Sequence, residues 1–343
     1  MIRFGPSGIP LSCKGRTLKD GIEDVHALGL TALEVQLVRV NVNERYVREE
    51  EIGLTPRETS GELIVEVLRK TGRKEQAITD LGVKLRKGDI IASLSSGLAK
   101  DYIELEALGE LAKELDIELT MHTPYYMDLA GGGDLTRRSM DSIKWAGLMA
   151  HQMGAGIVVT HVGLYGELTP RQTMNRVVKN LTELRDWFRK KKVRAKIGVE
   201  TSGRQEVFGS LKEVLKLCER VKGILPILNF SHIHSREGGS LRKKEDFQKV
   251  IEAAEPYTRK HYHTHFSGVE HEGGNELRYT PIKRGDLRFE PLADAILDSG
   301  LDITVISSSP LLEHDAMYMK VILERVLSKR VARAGKEKKE GGK

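Results

Sequence analysis

Five side chains able to hold a metal ion recur along this chain: His122, His161, Glu200, His232 and His265, separated by 39, 39, 32 and 33 residues. Imidazoles and carboxylates that converge on one point, with a coordination position open to water, are what a metal-dependent hydrolase needs. Residues so far apart in sequence converge when each ends a strand of a parallel barrel, where such folds present their chemistry. The first three follow short apolar or β-branched runs, in Leu119-Thr-Met-His122, Ile157-Val-Val-Thr-His161 and Ile197-Gly-Val-Glu200. The series then breaks, because the next comparable strand end reads Ser307-Ser308-Ser309-Pro310.

The elements that must position these groups are read from hydrophobic period. Apolar runs suited to strands fall at 2–4, 32–38, 118–122, 156–161, 196–200, 225–230, 261–266 and 303–306. Amphipathic stretches suited to helices lie between them at 102–115, 139–153, 169–190, 211–221, 244–254, 291–298 and 311–327. Alternation of this kind predicts an α/β fold, a (β/α)8 TIM barrel, and 343 residues suit one such domain carrying insertions. Residues 1–328 are expected to be that domain. Residues 41–100 interrupt the rhythm after the second strand with helical patterns at 62–70 and 74–81, and are expected on the C-terminal face of the barrel. Residues 329–343, rich in Lys, Arg, Glu and Gly, are expected to form a basic disordered tail.

Composition narrows the classes. Cys13 and Cys218 form no C-x-x-C pair, so neither a disulfide framework nor a thiolate zinc site is expected. No run approaches the roughly 20 apolar residues of a membrane span, and the first residues lack a signal-peptide layout, so a soluble, cytoplasmic protein without a membrane partner is expected. A net charge of +6 permits attraction to polyanions.

The strand-end motifs, H-x-P-Y at His122–Tyr125, T-H-x-G at Thr160–Gly163 and V-E-T-S-G at Val199–Gly203, resemble in order and spacing those of the endonuclease IV family. These are zinc-dependent abasic-site endonucleases of the xylose-isomerase-like barrel superfamily. The resemblance covers nearly all of the chain except the insertion and the tail. It implies a barrel holding zinc ions that activate water and clamp the phosphate 5′ of an abasic nucleotide in duplex DNA, leaving a 3′-hydroxyl. It places His122, His161 and Glu200 in a first zinc site, Glu200 bridging towards a second and acting as the catalytic carboxylate. Tyr125 and Arg39 match positions that enter the duplex.

Elsewhere the chain departs from the pattern. A family D-x-x-H reads Asn229-Phe-Ser-His232, which puts a neutral amide, a poorer zinc ligand, in place of a carboxylate. A family D-x-H falls on Leu277-Arg-Tyr279, and the last-strand glutamate falls on Ser308. His265 persists. Charge lost from a multi-zinc centre leaves cations poorly compensated, since unit charges 4 Å apart already interact by about 4 kcal/mol at an effective dielectric of 20. One or two zinc ions are therefore expected, with His234 and His263 as replacement ligands, because i and i+2 on a strand share a face. Three functions compete: a phosphodiesterase acting on abasic or damaged DNA with a reduced metal centre, a catalytically impaired barrel that binds DNA or protein, and a metal-dependent sugar isomerase or epimerase using Glu200, Asn229, His265 and Ser308.

Overall fold

The computed structural model describes residues 1–340 apart from 39, 73 and 259. In chain order the elements are β1 (Ile2–Pro6), α1 (Leu18–Ala27), β2 (Ala32–Gln36), β3 (Asn41–Tyr46), β4 (Ile64–Thr71), β5 (Lys74–Ile78), β6 (Ile90–Ser95), α2 (Tyr102–Glu114), β7 (Glu118–His122), α3 (Asp134–Met153), β8 (Ile157–Thr160) and α4 (Pro170–Lys190). They continue with β9 (Lys196–Glu200), α5 (Leu211–Arg220), β10 (Leu225–Asn229), α6 (Phe230–Arg236), α7 (Lys244–Thr258), β11 (His261–Phe266), β12 (Gly268–Glu272), β13 (Asn275–Thr280), α8 (Phe289–Ser299), β14 (Asp302–Ser307) and α9 (Glu313–Glu340). Among the described residues, no helix is long and apolar enough to cross a membrane.

Eight parallel strands pair in the order β1-β14-β11-β10-β9-β8-β7-β2, and a bridge between Ser7 and Glu34 brings the two edges together. The sheet is thus the expected TIM barrel. Strand alternation divides each strand between two layers. In β9, Ile197 and Val199 join the outer core under the helices, while Lys196, Gly198 and Glu200 have the opposite parity. Inside the barrel, Ile157, Val159 and Ile227 fill the centre. Gly198 makes room for them, because a Cβ there would lie 2.6 Å from Ile227 Cδ1 and 2.9 Å from Ile157 Cγ2. The same parity carries Glu34 and Gln36 of β2, His122 of β7 and the series His261, His263, His265 of β11 into the barrel.

Local sequence fixes the helix starts. Thr169 and Gln172 close a capping box on α4 with Pro170 in its first turn, and Ser210 with Glu213 does the same for α5. Thr17 and Asp20 cap α1, a helix the periodicity does not single out.

The insertion corrects two expectations. Residues 62–70 and 74–81 are not helical; β4 and β5 form a hairpin in a four-stranded antiparallel sheet ordered β3-β6-β4-β5. Ile64, Val65 and Val67 favour strand, and pairing with the distant β6 satisfies a backbone that local pattern alone cannot assign. Ile64, Val67, Leu85 and Ile91 give this sheet a small core of its own. It leaves from the C-terminal end of β2 but packs along the barrel's flank. Arg57 reaches Glu106 of α2 at 3.5 Å, and Asp80 reaches Lys191, just after α4, at 3.3 Å.

The chain end differs as well. A tail was expected from residue 329, yet α9 continues to Glu340, and Arg330 pairs with Asp294 at 2.6 Å and Asp298 at 2.8 Å. Ala, Lys, Arg and Glu are good helix formers, and these ion pairs anchor the helix to α8.

Candidate metal centre

At the C-terminal end of the barrel a cavity of about 1070 Å³ opens over the strand ends. His122, His161, Glu200, His232, His265, Tyr279 and Ser308 all line it, and no described residue of the insertion does. His122, His161 and Glu200 each offer a ligand atom, and the three atoms lie within 4.8 Å of one another. Glu200 Oε2 is 2.9 Å from His122 Nε2 and 3.4 Å from His161 Nε2. After His161 the chain turns sharply at Gly163 (φ 106°), where a Cβ would come within 2.5 Å of Asp128 Oδ1.

The protonation of the cluster suits a cation. The His122 Nδ1–H donates to the Thr123 carbonyl at 2.6 Å, which leaves the Nε2 lone pair facing a carboxylate oxygen. Two acceptors 2.9 Å apart require a positive charge between them, a proton or a metal. Burial opposes charge on His122, but the neighbouring Glu200 and Glu34 override it and raise its pKa. Burial drives His161 down to about 4, so its imidazole is neutral at neutral pH and its lone pair is ready to ligate. Glu200 is buried yet held well below the usual carboxylate range by His161, His265 and His122. With Asn229 and His265 on Oε1 and the two histidines at Oε2, both Glu200 oxygens are engaged.

The remaining expected ligands sort differently. Asn229 accepts the backbone N–H groups of Ser231 and His232 through Oδ1, at 3.1 and 3.2 Å, and so caps α6. Its Nδ2 then donates to Glu200 Oε1 at 2.7 Å and to the Tyr279 hydroxyl at 2.8 Å. The amide therefore turns donors, not an acceptor, toward the centre and does not fit a metal ligand. His234 is also displaced from its expected place, because 232–234 lie on α6 and not on a strand, so the i, i+2 pair points in two directions. His234 Nδ1 accepts the Leu241 N–H and its Nε2–H reaches Asp286 at 3.0 Å, beside His271. His234, His271 and Asp286 thus form a cluster of their own, with ligand atoms within 4.8 Å of one another, that does not line the cavity. His263 does share a face with His265, but it lies deeper and meets Glu34 at 3.2 Å instead of the cavity.

Leu277 is exposed and does not line the cavity. A bulge opposite Glu270 and His271 skips Leu277 in the β12/β13 register and reverses its parity, bringing Glu276 in beside Tyr279. Glu276 Oε2 then lies 3.1 Å from His232 Nε2. Ser308 lines the cavity and donates its backbone N–H to Phe266. Tyr125 and Tyr126 stand at the mouth, 81% and 49% exposed, in edge-on contact. Arg39 lies outside the described residues.

Glu34 is a buried acid beneath the cavity that the sequence does not single out. It is fully buried and accepts from Ser7 Oγ (3.1 Å), Gln36 Nε2 (3.0 Å), His263 Nε2 (3.2 Å) and His265 Nε2 (2.9 Å). Its signal was an acid set between Leu33 and Val35 in a buried strand. His265 bridges it to Glu200, and although burial opposes the charge, the two carboxylates lift His265 to about 10. Gln36 and Glu276 were missed for the same reason: they acquire meaning only from their neighbours in space.

A family model described as xylose isomerase-like TIM barrel matches residues 87–311. The chain belongs to this family. An uncharacterized protein of Methanocaldococcus jannaschii is 30% identical over 228 residues, 65% of this chain and 81% of the relative. Among solved structures this xylose isomerase-like barrel is similar to endonuclease IV from Thermus thermophilus, with 18% identity, a TM-score of 0.56 and coverage of 94% of this chain and 99% of that one. It is equally similar to D-psicose 3-epimerase from Clostridium cellulolyticum, with 13% identity, a TM-score of 0.56 and the same coverage of both chains. At these identities the likeness is one of fold, shared by an endonuclease IV and a D-psicose 3-epimerase alike.

Proposed function

We propose that this barrel is a zinc-dependent phosphodiesterase acting on duplex DNA with an abasic or damaged nucleotide. The observation that carries the reading is the His122, His161, Glu200 cluster, two imidazoles and a carboxylate gathered at the floor of an open cavity. The donor set is one that zinc takes with a position left for water or substrate. A cation held there supplies Lewis acidity toward a phosphoryl oxygen and acidifies water near neutral pH. Thr123 fixes the His122 tautomer, burial keeps His161 neutral, and Asn229 with His265 holds Glu200 in place. The exposed Tyr125 and Tyr126 at the mouth offer aromatic faces on which an unpaired base can stack.

The DNA backbone meets few cations at the rim. Arg137 and Arg138 pair with Asp134 at 2.6 and 2.9 Å, and Arg236 is spent on the backbone carbonyls of Arg204 and Val207. Among the described residues lining the cavity, the basic side chains besides histidine are Arg176 and Arg204. Recognition thus leans on the aromatic pair and the metal more than on a broad basic surface, and a shallow salt dependence of binding is expected.

The test combines metal analysis of protein purified without added zinc with cleavage of a duplex bearing one abasic site. Bound zinc together with a cut 5′ to that site supports the proposal. Absence of metal and of cleavage, with DNA binding intact, replaces it with a binding module. Turnover of a free ketose replaces it with an isomerase.

A further inference from the structure

Beside the His122, His161, Glu200 cluster lies a second group of polar side chains, Asn229, His232, Glu276 and Tyr279. Its hydrogen bonds have only one consistent direction. The amide orientation of Asn229 is set by α6, since Oδ1 takes the N–H groups of both Ser231 and His232, and a flipped amide would set two donors against two donors. Nδ2 is therefore the donor to Tyr279, and the phenol accepts at 2.8 Å. His232 Nδ1–H donates to the Thr201 carbonyl at 2.5 Å, so only Nε2 faces the cavity. That nitrogen is 2.6 Å from the Tyr279 hydroxyl, and the two rings stack at 5.7 Å. The phenol donates to that Nε2, so the His232 lone pair is already met by a hydroxyl, whereas the His122 Nε2 faces a carboxylate alone. Glu276 Oε2 lies 3.1 Å from the same His232 nitrogen and has no hydrogen-bond partner of its own.

On the third side both oxygens of Glu34 have partners. Glu34 Oε1 accepts from Ser7 and Gln36, its Oε2 meets His263 and His265 at 3.2 and 2.9 Å below the cavity, and Ser308 brings no charge.

We infer that the centre takes a single divalent cation, on His122, His161 and Glu200, and that Tyr279, locked by Asn229, occupies the adjoining subsite with its hydroxyl and keeps a second cation out. The inference rests on the metal-centre reading above and deepens it. Two adjoining losses, of a carboxylate at Asn229 and of a ligand at Tyr279, then have one physical meaning: a pair of neutral groups that complete each other. The phenol also lines the cavity, so the substrate meets a hydrogen-bonding hydroxyl there.

The experiment strips the protein with a chelator, reloads it with Zn²⁺ alone, dialyses it and measures zinc per chain. The wild-type protein is expected to retain one equivalent, lost in His122→Ala and kept in His232→Ala. The double variant Asn229→Asp, Tyr279→His is expected to retain a second equivalent. Asp keeps both acceptor bonds that cap α6, so the fold is preserved, and the comparison of wild type with His232→Ala decides the matter without the double variant. Two equivalents in the wild type, one of them lost in His232→Ala, would overturn the single-cation inference while leaving the metal centre standing. Wild-type zinc that His122→Ala does not diminish would instead overturn the metal centre itself.

Discussion

His122 Nε2 and Glu200 Oε2 lie 2.9 Å apart at the base of the cavity, with the opposite nitrogen of the imidazole already donating to the Thr123 carbonyl. A lone pair so placed against a carboxylate needs a proton or a metal ion between them, and the metal gives the first prediction. His122→Ala removes one ligand and the partner of Glu200 together. Zinc content is expected to fall by one equivalent, with the circular dichroism of the barrel retained because the lost side chain faces the cavity. Unchanged zinc content would show that the ion sits elsewhere.

The barrel was legible in the sequence because its strands are short β-branched runs whose period differs from that of the helices between them. The convergence of His122, His161 and Glu200 was legible because each ends such a run. What escaped depends on pairing over long distances. The β4/β5 hairpin reads locally as helix until β6 completes its sheet. The α6 turn begins inside what reads as strand, because Phe230 and Ile233 are apolar in either structure and only the capping by Asn229 separates them. The bulge at Leu277 exchanged one candidate for Glu276, a one-residue change of parity that no periodic pattern announces.

Glu34 offers a test of what holds the interior together. Its carboxylate is buried with two histidines, and Glu34→Gln removes the charge that faces them while keeping the volume. Loss of one partner from a buried charged network costs about 3 to 5 kcal/mol. Urea denaturation near neutral pH is expected to show a loss of that size, and a change of less than about 1 kcal/mol, the scale of an exposed ion pair, would refute the view of Glu34 as a central anchor.

At the opposite end of the barrel, His261 supplies a pH dependence separate from the centre. Its Nε2 is 3.4 Å from Glu118 and its Nδ1 3.3 Å from Asp302, and the hydrogen bond to Glu118 outweighs burial to raise its pKa above 6.5. A histidine with a raised folded pKa contributes stability that is complete below the unfolded value and disappears as pH rises through the folded value. The stability difference between wild type and His261→Asn is therefore expected to be greatest below about pH 6.5 and to shrink on the alkaline side of it. Urea midpoints measured from about pH 5.5 to about pH 8.5 check this. A difference that grows with pH would reverse the assignment.

Tyr125 and Tyr126 separate a DNA-directed cavity from one built for a small substrate. Both rings are held out at the mouth, one of them 81% exposed, so neither stabilises the core. Stacking of a base on an aromatic ring contributes about 1 to 3 kcal/mol. Replacing each tyrosine by alanine is expected to weaken binding to an abasic duplex by between about fivefold and 150-fold in Kd. Thermal stability should stay within about 0.5 kcal/mol of wild type, as for other exposed substitutions. Fluorescence anisotropy with labelled abasic and intact duplexes reads both the loss and its selectivity. If the double alanine variant binds the abasic duplex as tightly as wild type, the rings do not meet DNA, and the cavity they frame serves a substrate that enters without them.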